Sequence, residues 1–120
     1  MKKGFTLIEL LAVIIILAVI ALIATPVVLD VVDTAKEKAL VNSAYGIVDA
    51  AKLKFTESMF NNSAVQSGNA ADLEVSGEKA TDGTWEVKNG KIVITGVKFA
   101  SDTTRTCSNT EADATVTCTK

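Results

Sequence analysis

Glu9 is the residue whose position most needs a chemical reason. It stands at the head of the apolar run Leu10 to Leu29, with Phe5, Leu7 and Ile8 on its other side, and a carboxylate in such surroundings is expensive unless a cation pairs with it. The preceding residues hold that cation in latent form. A cut between Gly4 and Phe5 frees an α-amino group four residues from Glu9 and removes Lys2 and Lys3. Cys107 and Cys118 are a second reactive pair, close enough in sequence to close a short loop by oxidation. Asn109, Glu111 and Asp113, spaced by two inside that loop, carry oxygens of the kind that bind Ca²⁺. The glycine and closing glutamate of an EF-hand loop are missing, so a solvated acidic loop is the reading adopted. The chain has no histidine, no nucleophile elbow and no phosphate-cradling glycine loop. That pattern predicts no enzyme, no cofactor and no metal site.

The elements that must position these residues are read from periodicity. Leu10 to Leu29 is twenty residues without a charge; at about 1.5 Å per helical residue it spans roughly 30 Å, the hydrocarbon thickness of a bilayer. A cleavable signal peptide, with Val19-Ile20-Ala21 as its cleavage site, is the competing reading. Glu9 is wrong for it, and the apolar run exceeds the usual h-region. Beyond the span, Val28, Val31, Ala35, Ala39, Val41, Ala44, Val48, Ala51, Phe55 and Met59 recur at spacings of three and four, predicting an amphipathic helix over residues 30–60. Pro26 and Gly46 are sites of bending within it rather than ends. The helix is expected to stop near Asn61-Asn62-Ser63, a sequon read here as a helix terminus. From Thr6 to Phe60 it would reach about 80 Å, too long for the remaining sixty or so residues to cover.

The clearest β signal is Trp85-Glu86-Val87-Lys88, then Asn89-Gly90, then Ile92 and Ile94. A two-residue type I′ turn at Asn89-Gly90 sets Val87 opposite Ile92 and Trp85 opposite Ile94, all on one face. Trp85 and Phe99 are therefore core rather than binding aromatics. The parity slip between Ile94 and Val97 predicts a bulge. Short strands are expected at Asp72 to Val75 and Thr115 to Cys118. The fold class is α+β: a long N-terminal helix, apolar then amphipathic, against a small antiparallel sheet.

Met1-Lys2-Lys3-Gly4, then Phe5-Thr6-Leu7-Ile8-Glu9-Leu10, then a long apolar helix containing Pro26, closely resembles the leader and N-terminus of type IV pilins and pseudopilins. The resemblance covers Met1 to about Lys38. It implies a leader of residues 1–4, a membrane or filament-core helix half at 5–29, and a pilin head at 30–120. It also implies that Gly4 is the last leader residue, recognised by a membrane prepilin peptidase that methylates the freed amine of Phe5. Glu9 then pairs with the N-terminus of a neighbouring copy, and Pro26 kinks the helix. Ala18 stands where the family often has glycine. Val28 and Val31 stand where it often has aromatics, so no stacked aromatic path along a fibre is expected.

Composition bounds the rest. The chain has 120 residues and a net charge of -2, with a pI near 5.1. This argues against tight electrostatic binding of nucleic acid by the chain as a whole. Lys2 and Lys3 precede the span and Asp30 and Asp33 follow it, so the N-terminus is expected inside and the head outside. The first reading is a structural subunit of a surface filament for adhesion, motility or DNA uptake, partnered by copies of itself, the peptidase, the cytoplasmic membrane and an assembly platform. The second is a pseudopilin of a type II secretion or competence system. The third is a monomeric membrane-anchored binding module.

Overall fold

A computed structural model describes residues 4–120; Lys2 and Lys3 lie outside the described residues. Helix α1 runs Leu7–Phe60 and is followed by β1 (Ser67–Asn69), a 3₁₀ turn (Ala70–Asp72), β2 (Ala80–Lys88), β3 (Lys91–Phe99), β4 (Asp102–Ser108) and β5 (Thr117–Thr119). The chain is α+β and pilin-like in its element order. It divides into two compact units, Met1–Lys36 and Glu37–Lys120, with α1 contributing to both.

In the first unit α1 is long and apolar enough to cross a membrane. Its apolar side chains from Leu7 to Val32 are all exposed. The helix continues through Pro26, whose missing N–H withdraws the donor for the Leu22 carbonyl. Thr25 donates its hydroxyl to the Ala21 carbonyl at 2.7 Å beside it.

In the second unit the sheet is an antiparallel meander in the order β1-β2-β3-β4-β5. The core joins Leu40, Ala44, Ile47 and Ala51 of α1 to Trp85, Ile92, Ile94, Val97 and Phe99 of the sheet, with Leu73 and Val116 closing the ends. The helical face is thus rotated slightly from the expected one. Leu40 and Ile47 are central to it, whereas Met59 is exposed and its neighbour Ser58 is buried instead. The helix ends as expected. Asn62 adopts φ +53°, the Ser63 N–H donates to the Ser58 carbonyl at 2.9 Å and the Asn62 N–H to the Met59 carbonyl at 3.4 Å, the pattern of a Schellman cap.

The hairpin has the expected register, Trp85 opposite Ile94 and Val87 opposite Ile92, and the turn places Asn89 at φ +50° and Gly90 at φ +76°. The bulge is present as register shifts in β2 opposite Thr95 to Phe99. Gly83 sits there at φ +107°, and a Cβ on it would lie 2.6 Å from the Val97 Cα.

Two expectations are corrected. Asp72 to Val75 is not a strand: Ala70 and Leu73 turn inward as core residues, and the edge strand forms earlier, where Gly68 lies flat against the Trp85 indole. β4 was not foreseen. Its sequence, Asp102-Thr-Thr-Arg-Thr-Cys-Ser108, carries no apolar alternation, and pairing to β3 and β5 rather than its own pattern makes it a strand.

Candidate functional site

At the N-terminus, Thr6 caps α1. The Glu9 N–H donates to Thr6 Oγ1 at 3.3 Å, and the Thr6 N–H donates back to Glu9 Oε2 at 3.0 Å. This reciprocal pair is a capping box, which satisfies two of the donors a helix start leaves open. The reading of Glu9 above missed this second role. Its signal was present, a threonine three residues before a glutamate at the head of an apolar run. One carboxylate oxygen is thereby engaged inside the chain, while the side chain stays exposed. Gly4 and Phe5 precede the helix. Phe5 is 83% exposed, and open space surrounds the position a Cβ on Gly4 would take. Nothing within the described chain therefore requires glycine at 4.

Residues 1–25 match the family model described as the prokaryotic N-terminal methylation motif. The chain opens with a type IV prepilin-like leader. No curated protein and no solved structure matches the chain. The match covers the leader and most of the span. In this prepilin-like chain the apolar exposed helix and the methylation motif fit a membrane-anchored protein.

The head of the prepilin-like chain is closed by the Cys107–Cys118 disulfide, with an S–S distance of 2.00 Å. The two cysteines are direct partners in the β4–β5 register and both are buried. Inside the loop, the three oxygen-bearing residues are used separately. Asn109 is buried; its Oδ1 accepts from the Ile94 N–H at 2.7 Å and its Nδ2 donates to the Ile92 carbonyl at 3.1 Å. Its backbone N–H also reaches the Ile94 carbonyl. Asn109 thus stands in for the next paired residue of β4, where strand pairing has ended. Glu111 accepts from Asn89 Nδ2 and tethers the loop to the hairpin turn. Asp113 folds back on the loop and accepts from the Thr115 N–H at 2.9 Å, a bond that lowers its pKa below the ordinary value of 3.8. No cluster of metal-ligating residues exists among the described residues.

Tyr45 was also missed. Its hydroxyl accepts from the Val116 N–H at 3.1 Å, fixing the disulfide loop to α1. A lone tyrosine on the polar side of an amphipathic helix was the available signal. Glu78, just before β2, plays a similar part for the turn between β3 and β4, accepting from the Ser101 N–H at 2.9 Å and the Ser101 hydroxyl at 2.8 Å.

Proposed function

We propose that the chain is the precursor of a type IV pilin, a structural subunit that polymerises through its N-terminal helix into a surface filament. The observation that carries this reading is the methylation motif set on a helix whose apolar side chains from Leu7 to Val32 are all exposed. Such a surface needs lipid before assembly and neighbouring helices after it. Because lipid is as apolar as the bundle, association must draw on packing and polar pairing rather than on hydrophobicity. Glu9 provides the pairing group. In this reading a prepilin peptidase cuts between Gly4 and Phe5 and methylates the new amine. That amine then meets the Glu9 carboxylate of the neighbouring copy as an assembly platform draws subunits from the cytoplasmic membrane. Residues 5–29 form the span and later the filament core. Residues 30–120 form the outward-facing head, for attachment, motility or DNA uptake.

The pseudopilin alternative shares the N-terminus. A calcium site in the C-terminal loop would favour it, but the oxygen of Asn109 is given to the Ile94 N–H. The proposal is tested on the mature protein in two steps. N-terminal mass spectrometry is expected to find chains starting at N-methylated Phe5, with precursor accumulating when Gly4 is replaced by a larger residue. Electron microscopy with an antibody to residues 84–120 is expected to decorate long surface fibres. Chains starting at Met1 or Ala21, or label confined to the cell envelope, would overturn the reading.

A further inference from the structure

A groove runs between the second half of α1 and the segment after the 3₁₀ turn, in two adjoining hollows of about 310 Å³ and 350 Å³ that share Ala50, Leu53 and Glu74. Leu53 lies in it 61% exposed. Around it stand four exposed carboxylates, Asp49, Glu57, Asp72 and Glu74, against one ammonium, Lys54. Among the described residues none of the four carboxylates makes an ion pair. Within one copy, then, the groove gathers four carboxylates and a single ammonium around Leu53.

The complement is found at the hairpin tip. Lys88 and Lys91 are direct cross-strand partners flanking Asn89-Gly90, and like charges set opposite each other destabilise a hairpin. A fold tolerates such a local conflict most readily where function asks for it. The lysines lean on Glu86, 2.8 Å from Lys88 Nζ, and on the Glu111 carbonyl, 3.4 Å from Lys91 Nζ. Both contacts are exposed, and exposed contacts of this kind are weak and exchangeable. The two-residue turn holds both lysines at one end of the hairpin as a compact basic tip. Lysine stems can lie across Leu53 while their ammonium groups reach the rim.

We propose that the groove around Leu53 receives the β2–β3 hairpin tip of a second copy of this chain, with Lys88 and Lys91 meeting Asp49, Glu57, Asp72 and Glu74. Groove and tip are different surfaces, so the contact is head-to-tail and repeats without closing when the rotation between copies does not close a ring. It deepens the filament reading and rests on it. In that filament it fixes the register between heads, a task the featureless apolar helices are poorly suited to, since charge pairing sets register and excludes wrong docking.

The test uses full-length protein in its own membrane and reads subunit in sheared fibres against subunit in the membrane fraction. Asp72→Lys with Glu74→Lys is expected to lower that ratio by roughly tenfold, as is Lys88→Glu with Lys91→Glu, and all four together to restore it. Carbodiimide treatment of wild-type fibres is expected to give a dimer in which Lys88 or Lys91 is amide-linked, with loss of water, to a groove carboxylate. Both reversals leaving the ratio unchanged, the fourfold variant failing to recover, or cross-links confined to other lysines would each overturn the contact while the filament reading stands. Absence of wild-type fibres removes the filament reading and this contact with it.

Discussion

Glu9 caps α1 through the Thr6 N–H and, in the proposed filament, also pairs with a neighbouring amine, two roles that Glu9→Leu alone does not separate. Glu9→Leu removes both the charge and the capping bond from the Thr6 N–H, and loss of a cap alone costs about 1 kcal/mol. Glu9→Gln keeps a side-chain oxygen for the cap and discards the charge. If Glu9 neutralises a buried amine on a neighbouring copy, Gln is expected to abolish fibres nearly as well as Leu, because an unpaired buried charge costs roughly 3 to 5 kcal/mol. Membrane levels of the two variants are expected to match wild type. Normal fibre yield from Glu9→Gln would leave Glu9 as a helix cap only. The pH dependence of the loop is a smaller effect with a definite sign. The Thr115 N–H holds the Asp113 carboxylate below its ordinary 3.8, so the stability it contributes is present above that value and is lost as pH falls through the lowered one. The Thr115 amide resonance is expected to move with a midpoint below pH 3.8, and a midpoint at or above it would show that the bond is not formed.

Among the elements, the β2–β3 hairpin depends most on one backbone position. At Gly83 the chain takes φ +107°, and an added Cβ would meet the Val97 Cα at 2.6 Å and its N at 2.8 Å. Backbone atoms cannot step aside as a flexible side chain does. Gly83→Ala is therefore expected to destabilise the head by roughly 2 to 4 kcal/mol, from left-handed strain together with overpacking. Gly46 is the control within α1. A Cβ there meets nothing within 4 Å, so Gly46→Ala is expected to stabilise by up to about 1 kcal/mol. Thermal unfolding of both variants checks the pair, and equal effects would mean that glycine content rather than local geometry sets their stability.

At the scale of the whole chain the two units have opposite needs. Residues 4–36 expose their apolar surface, whereas Glu37–Lys120 hold a core of their own. That core is small, and the disulfide joins direct partners on its last two strands. Reduction is expected to lower the unfolding free energy of the head by about 3 kcal/mol in the chain-entropy model of a loop this short. Near-ultraviolet dichroism of Trp85, which is buried, should report the loss under reducing conditions. An unchanged denaturation midpoint after reduction would show that Asn109 and Tyr45 hold the loop without it.

The leader motif, the apolar helix and the Trp85-to-Ile94 hairpin were legible in the sequence because each is local. Periodicity of 3.6 or 2 and an Asn-Gly turn specify such features within about a dozen residues. The same local range held the Thr6–Glu9 capping box, which was there to be read. What only tertiary structure decided depends on residues far apart. β4 is a strand because β3 and β5 flank it, although its threonines carry no apolar alternation. Asn109 brackets the end of β4 to β3 because β3 runs alongside with the Ile94 N–H and the Ile92 carbonyl open to it. Tyr45 meets Val116 across 71 positions of sequence. Such pairings are favourable only once the intervening chain has been brought back on itself, and no local pattern of side chains records where that return will place them.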